Sequence, residues 1–293
     1  MKRLSRLSLS ILGILLLCAC ALGNGRVETV RFQSKLLNTT VPYNVILPTD
    51  YDASPTTRYP VIYLLHGLTG HYSDWASRSN VADYARQYRL IVVTPEGNDG
   101  WYTNSATIAT DKYESYILDE LLPDVQQRYR TIEARYGRAI AGLSMGGYGA
   151  IKFGLKSPQT FAFAASMSGA FAIPRIAEKD LGPLGPVLTK LFGPAGSETR
   201  KANDIFDIVE NMPAARIAAL PYFYFDCGTE DPLPTVFTSN RDLARLMFEK
   251  KIPHEFRQLP GDHSWVYWDR QVRHVLEIAA QRMDIQRTRG AGA

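Results

Sequence analysis

Ser144 stands between two glycines in the run Ala139-Ile140-Ala141-Gly142-Leu143-Ser144-Met145-Gly146-Gly147-Tyr148-Gly149-Ala150. Gly142, Ser144 and Gly146 form a G-x-S-x-G pattern, which needs a tight strand-to-helix turn with the serine at its tip. The residues on either side fit. Apolar Ala139 to Leu143 lead in, a helical pattern follows through Ala150, Ile151, Phe153 and Leu155, and Pro158 closes it. Glycines without Cβ let strand and helix pass closely. The helix start aims free N–H groups at the site, where negative charge would develop. With 22 glycines and 17 serines in 293 residues, chance supplies roughly 0.1 such match. The chemistry on offer is nucleophilic attack on an acyl carbon.

A serine at its free pKa is a poor nucleophile and needs a base that is itself oriented by an acid. His263 lies in a loop, Leu259-Pro260-Gly261-Asp262-His263-Ser264-Trp265, between a strand and a helix, where it can hang over the turn. His254 opens a strand, His274 sits on a helical face, His71 is a surface loop residue, and His66 belongs to an earlier loop. The loop Cys227-Gly228-Thr229-Glu230-Asp231-Pro232-Leu233 offers the acid: Asp231 can reach round to His263, while Asp226 and Glu230 stay open as alternatives. Asp262 adjoins His263, and adjacent side chains rarely face each other. An oxyanion needs two N–H donors. Met145, directly after the serine, supplies one. Leu68, in His66-Gly67-Leu68 after the apolar run ending at Leu65, supplies the other.

These residues need a scaffold. Arg26 to Leu37 and Val41 to Leu47 alternate apolar and polar residues and predict an antiparallel hairpin. Pro60 to Leu65, Leu90 to Val93, Phe161 to Met167 and Pro221 to Asp226 are continuous apolar runs, as in strands buried on both faces. Glu255 to Leu259 reads as a strand nearer the edge. Val81 to Tyr88, Tyr113 to Tyr129, Thr235 to Lys250 and Trp265 to Met283 read as helices, with residues 287–293 frayed. Residues 171–218, punctuated by Gly-Pro pairs, break the rhythm and read as a cap-like insertion. Strands alternating with helices predict an α/β fold, its sheet mostly parallel with antiparallel N-terminal strands and helices on both faces. No linker or internal repeat interrupts 22–293, which reads as a single domain.

The composition, 45% hydrophobic, supports a sizeable core. Lys2, Arg3 and Arg6 precede an apolar stretch from Leu7 to Leu17 that is too short to span a bilayer, so residues 1–21 predict an export signal. Ala19-Cys20-Ala21 resembles an ordinary cleavage site. Leu17-Cys18-Ala19-Cys20 resembles a lipoprotein signal that would leave Cys20 lipidated, attaching an otherwise exported, periplasmic or cell-envelope protein to a membrane. Without the signal the formal charge falls from +4 to about +1, and nothing argues for nucleic acid. Cys227 alone remains in the mature body, so no disulfide framework is expected, and no Cys/His spacing suggests a metal. Trp101, Tyr102 and Trp265 are candidates for an aromatic substrate pocket.

Five motifs together, LLHGLTG, GNDGWYTNS, AGLSMGGYGAIK, DCGTEDPL and GDHSWVYW, resemble the esterase D family of α/β-hydrolases. That family includes S-formylglutathione hydrolases, tributyrin-type and feruloyl esterases, and mycolyltransferases. The resemblance runs from Val27 to Arg282. By position it implies Ser144 as nucleophile, Asp231 as the acid of a C-G-T-x-D loop, His263 as base, and Leu68 and Met145 as oxyanion donors. It implies a carboxylesterase that acts on small or aromatic acyl esters through an acyl-enzyme, with no cofactor. The export signal departs from the cytoplasmic glutathione-thioester branch. A mycolyl-type acyltransferase and a thioesterase share the first half-reaction, and a non-catalytic binding module would be expected to lack a triad member.

Overall fold

The computed structural model describes residues 26–290, with backbone alone for 285–290. Residues 1–21, the predicted export signal, with Cys20 among them, lie outside the described residues. Eight strands form one sheet: β1 (Arg26–Ser34), β2 (Thr39–Leu47), β3 (Val61–Leu65), β4 (Ile91–Pro95), β5 (Arg138–Leu143), β6 (Phe163–Met167), β7 (Tyr222–Gly228) and β8 (His254–Leu259). Their order is β1-β2-β4-β3-β5-β6-β7-β8. β1 and β2 form the antiparallel hairpin, and β2 also runs antiparallel to β4. Every other pairing is parallel. β3 to β7 are buried almost throughout, which is why they read as unbroken apolar runs. β1 and β8 lie at the two edges and are half-exposed.

Side chains alternate between two cores. Ile62, Leu64, Val92, Ala139 and Ala141 face one side, packed by α1 (Val81–Tyr88) and, near the C-terminus, by the long helix from Trp265 to Gly290. Val61, Tyr63, Leu65, Ile91 and Ile140 face the other. That second side carries α2 (Leu122–Arg128), α3 (Met145–Lys156), α4 (Leu184–Phe192), α5 (Ile205–Glu210) and α6 (Pro234–Glu249). The C-terminal helix is α7.

Two expectations need correction. The stretch from Tyr113 to Tyr129 is not one α-helix: a short turn, Tyr113–Ser115, passes into a π-helical segment, Tyr116–Leu121, before α2 begins. Pro123 has no N–H, and its ring crowds the carbonyl four residues back. The wider turn relieves that crowding, with the Leu122 N–H donating to the Ile117 carbonyl five residues back. At the C-terminus, α7 continues to Gly290 instead of fraying from Arg287. Residues 171–218 fold into short helices that dock on α3. The Tyr148 hydroxyl donates to the Asn203 carbonyl at 2.6 Å, and the Asn203 side chain accepts from Thr103 Oγ1 at 2.7 Å and Lys152 Nζ at 3.1 Å.

Candidate active site

The parallel register brings five strand ends to one rim. Leu65 of β3 pairs with Gly142 of β5, Leu143 with Met167 of β6, Met167 with Asp226 of β7, and Gly228 with Leu259 of β8. The loops that leave β3, β5, β7 and β8 carry Leu68, Ser144, Asp231 and His263. Ligands of open α/β sheets bind beyond such carboxyl ends.

Ser144 sits between β5 and α3 with φ 51° and ψ −115°, a region a non-glycine residue enters only under strain. Backbone bonds hold it there. Its N–H donates to Met167 O at 2.9 Å, and its carbonyl accepts the Tyr148 N–H at 3.0 Å. The flanking glycines permit the close pass. A Cβ on Gly146 would lie 2.5 Å from the carbonyl oxygens of Leu65 and His66, and one on Gly142 would run into the Gly146 backbone.

Ser144 Oγ lies 3.0 Å from His263 Nε2, and His263 Nδ1 lies 2.8 Å from Asp231 Oδ2. The Asp231 side chain is shut off from solvent, while that of His263 is 15% exposed. Asp231 Oδ1 is engaged as well, accepting the Leu233 N–H at 2.9 Å. The acid and base loops are tied together: Glu230 N–H donates to Gly261 O, and Thr229 N–H to Leu259 O, each at 2.9 Å. Gly228 allows this, because a Cβ there would clash with the Gly261 carbonyl.

The other acids do different work. Asp226 is fully buried on β7, accepting from Tyr224 OH at 2.9 Å and Tyr267 OH at 2.7 Å. Burial pushes its pKa up to about 7, against the pull of the two hydroxyls. Glu230 is exposed. Cys227 is buried, and burial followed by the nearby Asp231 and Asp226 carboxylates pushes its thiol up to about 12.

Met145 is the first residue of α3, so its N–H is one of the four that no helical carbonyl can reach. Leu68 is half-buried. Leu68 and Ser144 border an open cleft of about 260 Å³ that also includes Gly67, Leu233, His263, Trp265 and Trp268. Asp74 and Arg78 stand at its side, with the Arg78 guanidinium 5.0 Å over the Trp265 ring.

Of the aromatic candidates, Trp265 borders the cleft and the other two do not. Trp101 is 3% exposed and packs edge-on against Tyr148 and Phe192, with ring centroids at 5.7 and 6.2 Å. Tyr102 is wholly buried, its hydroxyl donating to the His66 carbonyl at 3.1 Å. Both have positive φ, 51° and 49°. Lys152 Nζ donates to the Tyr102 carbonyl at 2.8 Å, which helps hold that pair in place. The reading of Trp101 and Tyr102 as substrate contacts is therefore corrected to support beneath the site. In their place stands Trp268, one helical turn after Trp265. It packs edge-on against the His263 ring at 5.0 Å and against Trp265 at 5.5 Å. The i, i+3 spacing of the two tryptophans was the available signal. Leu233 and Arg78 carried none. His274 is half-buried against Tyr224. Among the described residues, no group of three His, Cys, Asp or Glu side chains could hold a metal ion.

Residues 34–276 match a family model described as "Putative esterase". The chain is 26% identical over 272 residues to an acetyl esterase of Caldicellulosiruptor saccharolyticus, covering 88% of this chain and 99% of that one. It is 31% identical over 258 residues to an esterase of Mycobacterium tuberculosis, covering 81% of this chain and 56% of that longer protein. A solved structure titled ferulic acid esterase superposes with a TM-score of 0.76 at 29% identity, covering 89% of this chain and all of that one.

Proposed function

The chain belongs to the esterase family, and on that footing we propose that it is a serine carboxylesterase that cleaves small or aromatic acyl esters through an acyl-enzyme on Ser144. The observation that carries this is the unbroken relay Ser144–His263–Asp231, at 3.0 and 2.8 Å. Ser144 Oγ attacks the ester carbonyl as His263 Nε2 takes its proton. Asp231 keeps the proton on Nδ1 and stabilises the imidazolium. The N–H groups of Leu68 and Met145 receive the oxyanion. His263 then protonates the leaving alcohol and activates the water that releases the acid.

The acyl preference follows from the cleft. At about 260 Å³ it is at the small end for ligand pockets, and its walls are Trp265, Trp268, Leu143, Leu68 and Leu233. None of the residues bordering it comes from 171–218, so the insertion does not line this cleft. This favours hydrolysis of compact acyl groups over transfer of long ones. The test is kcat/KM across acetyl, butyryl, octanoyl, palmitoyl and feruloyl esters. The expected maximum lies at short or feruloyl acyl groups with a graded decline, since a methylene is worth only about 1–3 kcal/mol. A maximum at palmitoyl would refute the compact cleft.

The basic, apolar, small-residue order of residues 1–21 supports export, with Cys20 as the lipid-bearing first residue of the mature chain. Intact-mass analysis of the membrane fraction is expected to find a diacylglycerol adduct there. A mature chain beginning at Leu22 without an adduct would replace lipid anchoring by plain secretion.

A further inference from the structure

A trans peptide holds its N–H and C=O on opposite sides, so whatever fixes the Gly67 carbonyl also aims the Leu68 N–H. Two donors fix that carbonyl. The Gly70 N–H reaches it at 3.0 Å, and His66 Nδ1 lies 2.8 Å from it. A carbonyl oxygen can only accept, so Nδ1 carries the proton. At the other end of the ring, Nε2 receives the Gly97 N–H at 2.9 Å and lies 3.2 Å from a Glu96 carboxylate oxygen.

Glu96 is itself bound from several sides. It accepts the N–H groups of Asn98 at 2.8 Å, Gly97 at 3.1 Å and Tyr72 at 3.3 Å, and His71 Nδ1 approaches at 3.3 Å. Burial works against its ionisation, and the backbone N–H groups of Asn98 and Tyr72 work for it. The loop is pinned on either side of the peptide too: Tyr102 OH donates to the His66 carbonyl, and the Thr69 N–H donates to Asp99 Oδ1 at 2.7 Å. Gly67 lies against the nucleophile, since a Cβ on it would be 3.5 Å from Ser144 Cβ. His66 is fully buried and does not border the cleft, so it cannot touch substrate.

We propose that His66, held at Nε2 by the Gly97 N–H that it shares with Glu96, is a positioning residue for ester cleavage: its Nδ1–H clamps the Gly67 carbonyl and so keeps the Leu68 N–H turned toward the oxyanion. The proposal rests on the esterase reading of the site. If the clamp is lost, the peptide can turn and bring carbonyl density where negative charge develops. Losing one oxyanion donor costs about 10²–10³-fold in kcat.

The test compares His66→Gln and His66→Asn with the parent on one ester and its thionoester. An asparagine amide can occupy the place of Nδ1 and donate to Gly67; a glutamine amide reaches the place of Nε2 instead. His66→Gln is expected to lose about 10²-fold in kcat with KM within about threefold. His66→Asn should recover at least tenfold of that loss. The ratio of ester to thionoester turnover should fall in His66→Gln and return in His66→Asn, because a thiocarbonyl sulfur gains little from an N–H donor. A merely structural histidine would leave that ratio unchanged. A parent that neither turns over esters nor labels with a fluorophosphonate would overturn the esterase reading. An active parent with unaltered kcat and ratio in His66→Gln would overturn the clamp alone. Should His66→Gln not fold, His66→Leu, which fills the ring's place without a donor, is measured instead: a lowered ratio upholds the proposal and an unaltered ratio overturns it.

Discussion

Ser144→Ala is expected to lower kcat by about three or more orders of magnitude while the protein remains folded. Removing the nucleophile leaves only binding and the oxyanion donors, and in serine hydrolases these retain a small residue of the rate. Folding is spared because the turn is held by main-chain bonds, the Ser144 N–H to Met167 and the Tyr148 N–H to Ser144, which alanine keeps. Oγ contributes the 3.0 Å contact with His263 and little packing. The backbone strain at φ 51° also remains in the alanine variant, so stability should move little. A fluorophosphonate probe reports the chemistry directly. It should label the parent at Ser144 and leave Ser144→Ala unmarked; a variant that still labels would remove Ser144 from the mechanism.

Asp231→Asn is expected to cost about 10⁴-fold in kcat, as when the orienting acid of a triad becomes an amide. The local hydrogen bonds explain why. Oδ1 already accepts the Leu233 N–H, so an asparagine at 231 keeps its carbonyl there and turns its NH₂ toward His263 Nδ1. That donor favours the tautomer with the proton on Nε2, which faces Ser144 and can no longer accept from it. Asp226→Asn should act on stability and spare turnover. In the folded protein Asp226 keeps its proton up to about pH 7, whereas the unfolded chain releases it near 3.8. Folding therefore binds a proton between those values, and stability falls as pH rises through that window, by on the order of 4 kcal/mol. Asparagine lacks this slope; its carbonyl oxygen can accept from one of the two tyrosine hydroxyls while its NH₂ donates to the oxygen of the other. Thermal melts should show Asp226→Asn several degrees above the parent at pH 8 and near it at pH 4. If Asp226→Asn abolished activity in a folded protein while Asp231→Asn did not, the acid would be misassigned.

What local pattern encodes was legible from the chain alone. Burial on both faces writes continuous apolar runs, so β3 to β7 could be found to within two residues at most ends. The hairpin of β1 and β2 follows from its alternation, and α1 from its 3.6-residue period. The turn at Ser144 is local as well, because its glycines lie within two residues of the serine and serve contacts made by that turn.

Long-range contacts were decided by the tertiary structure. Asp226, Glu230 and Asp231 lie within six positions of one another, and spacing cannot say which faces a histidine 32 residues further on. The parallel register of β7 with β8 and the packing of Gly228 on Gly261 turn Asp231 toward His263, while Asp226 points into the layer beneath α7. Trp101 and Tyr102 read as pocket residues because they follow a strand end. Their positive φ values, and a buried lysine donating to the Tyr102 carbonyl, turn both rings inward. Trp268 became a neighbour of His263 only once α7 was docked. The physical reason is common to these cases. Periodicity reports which side of an element is buried, but the direction of a loop side chain depends on hydrogen bonds and close contacts with residues far away in the chain, and those partners exist only after the sheet has assembled.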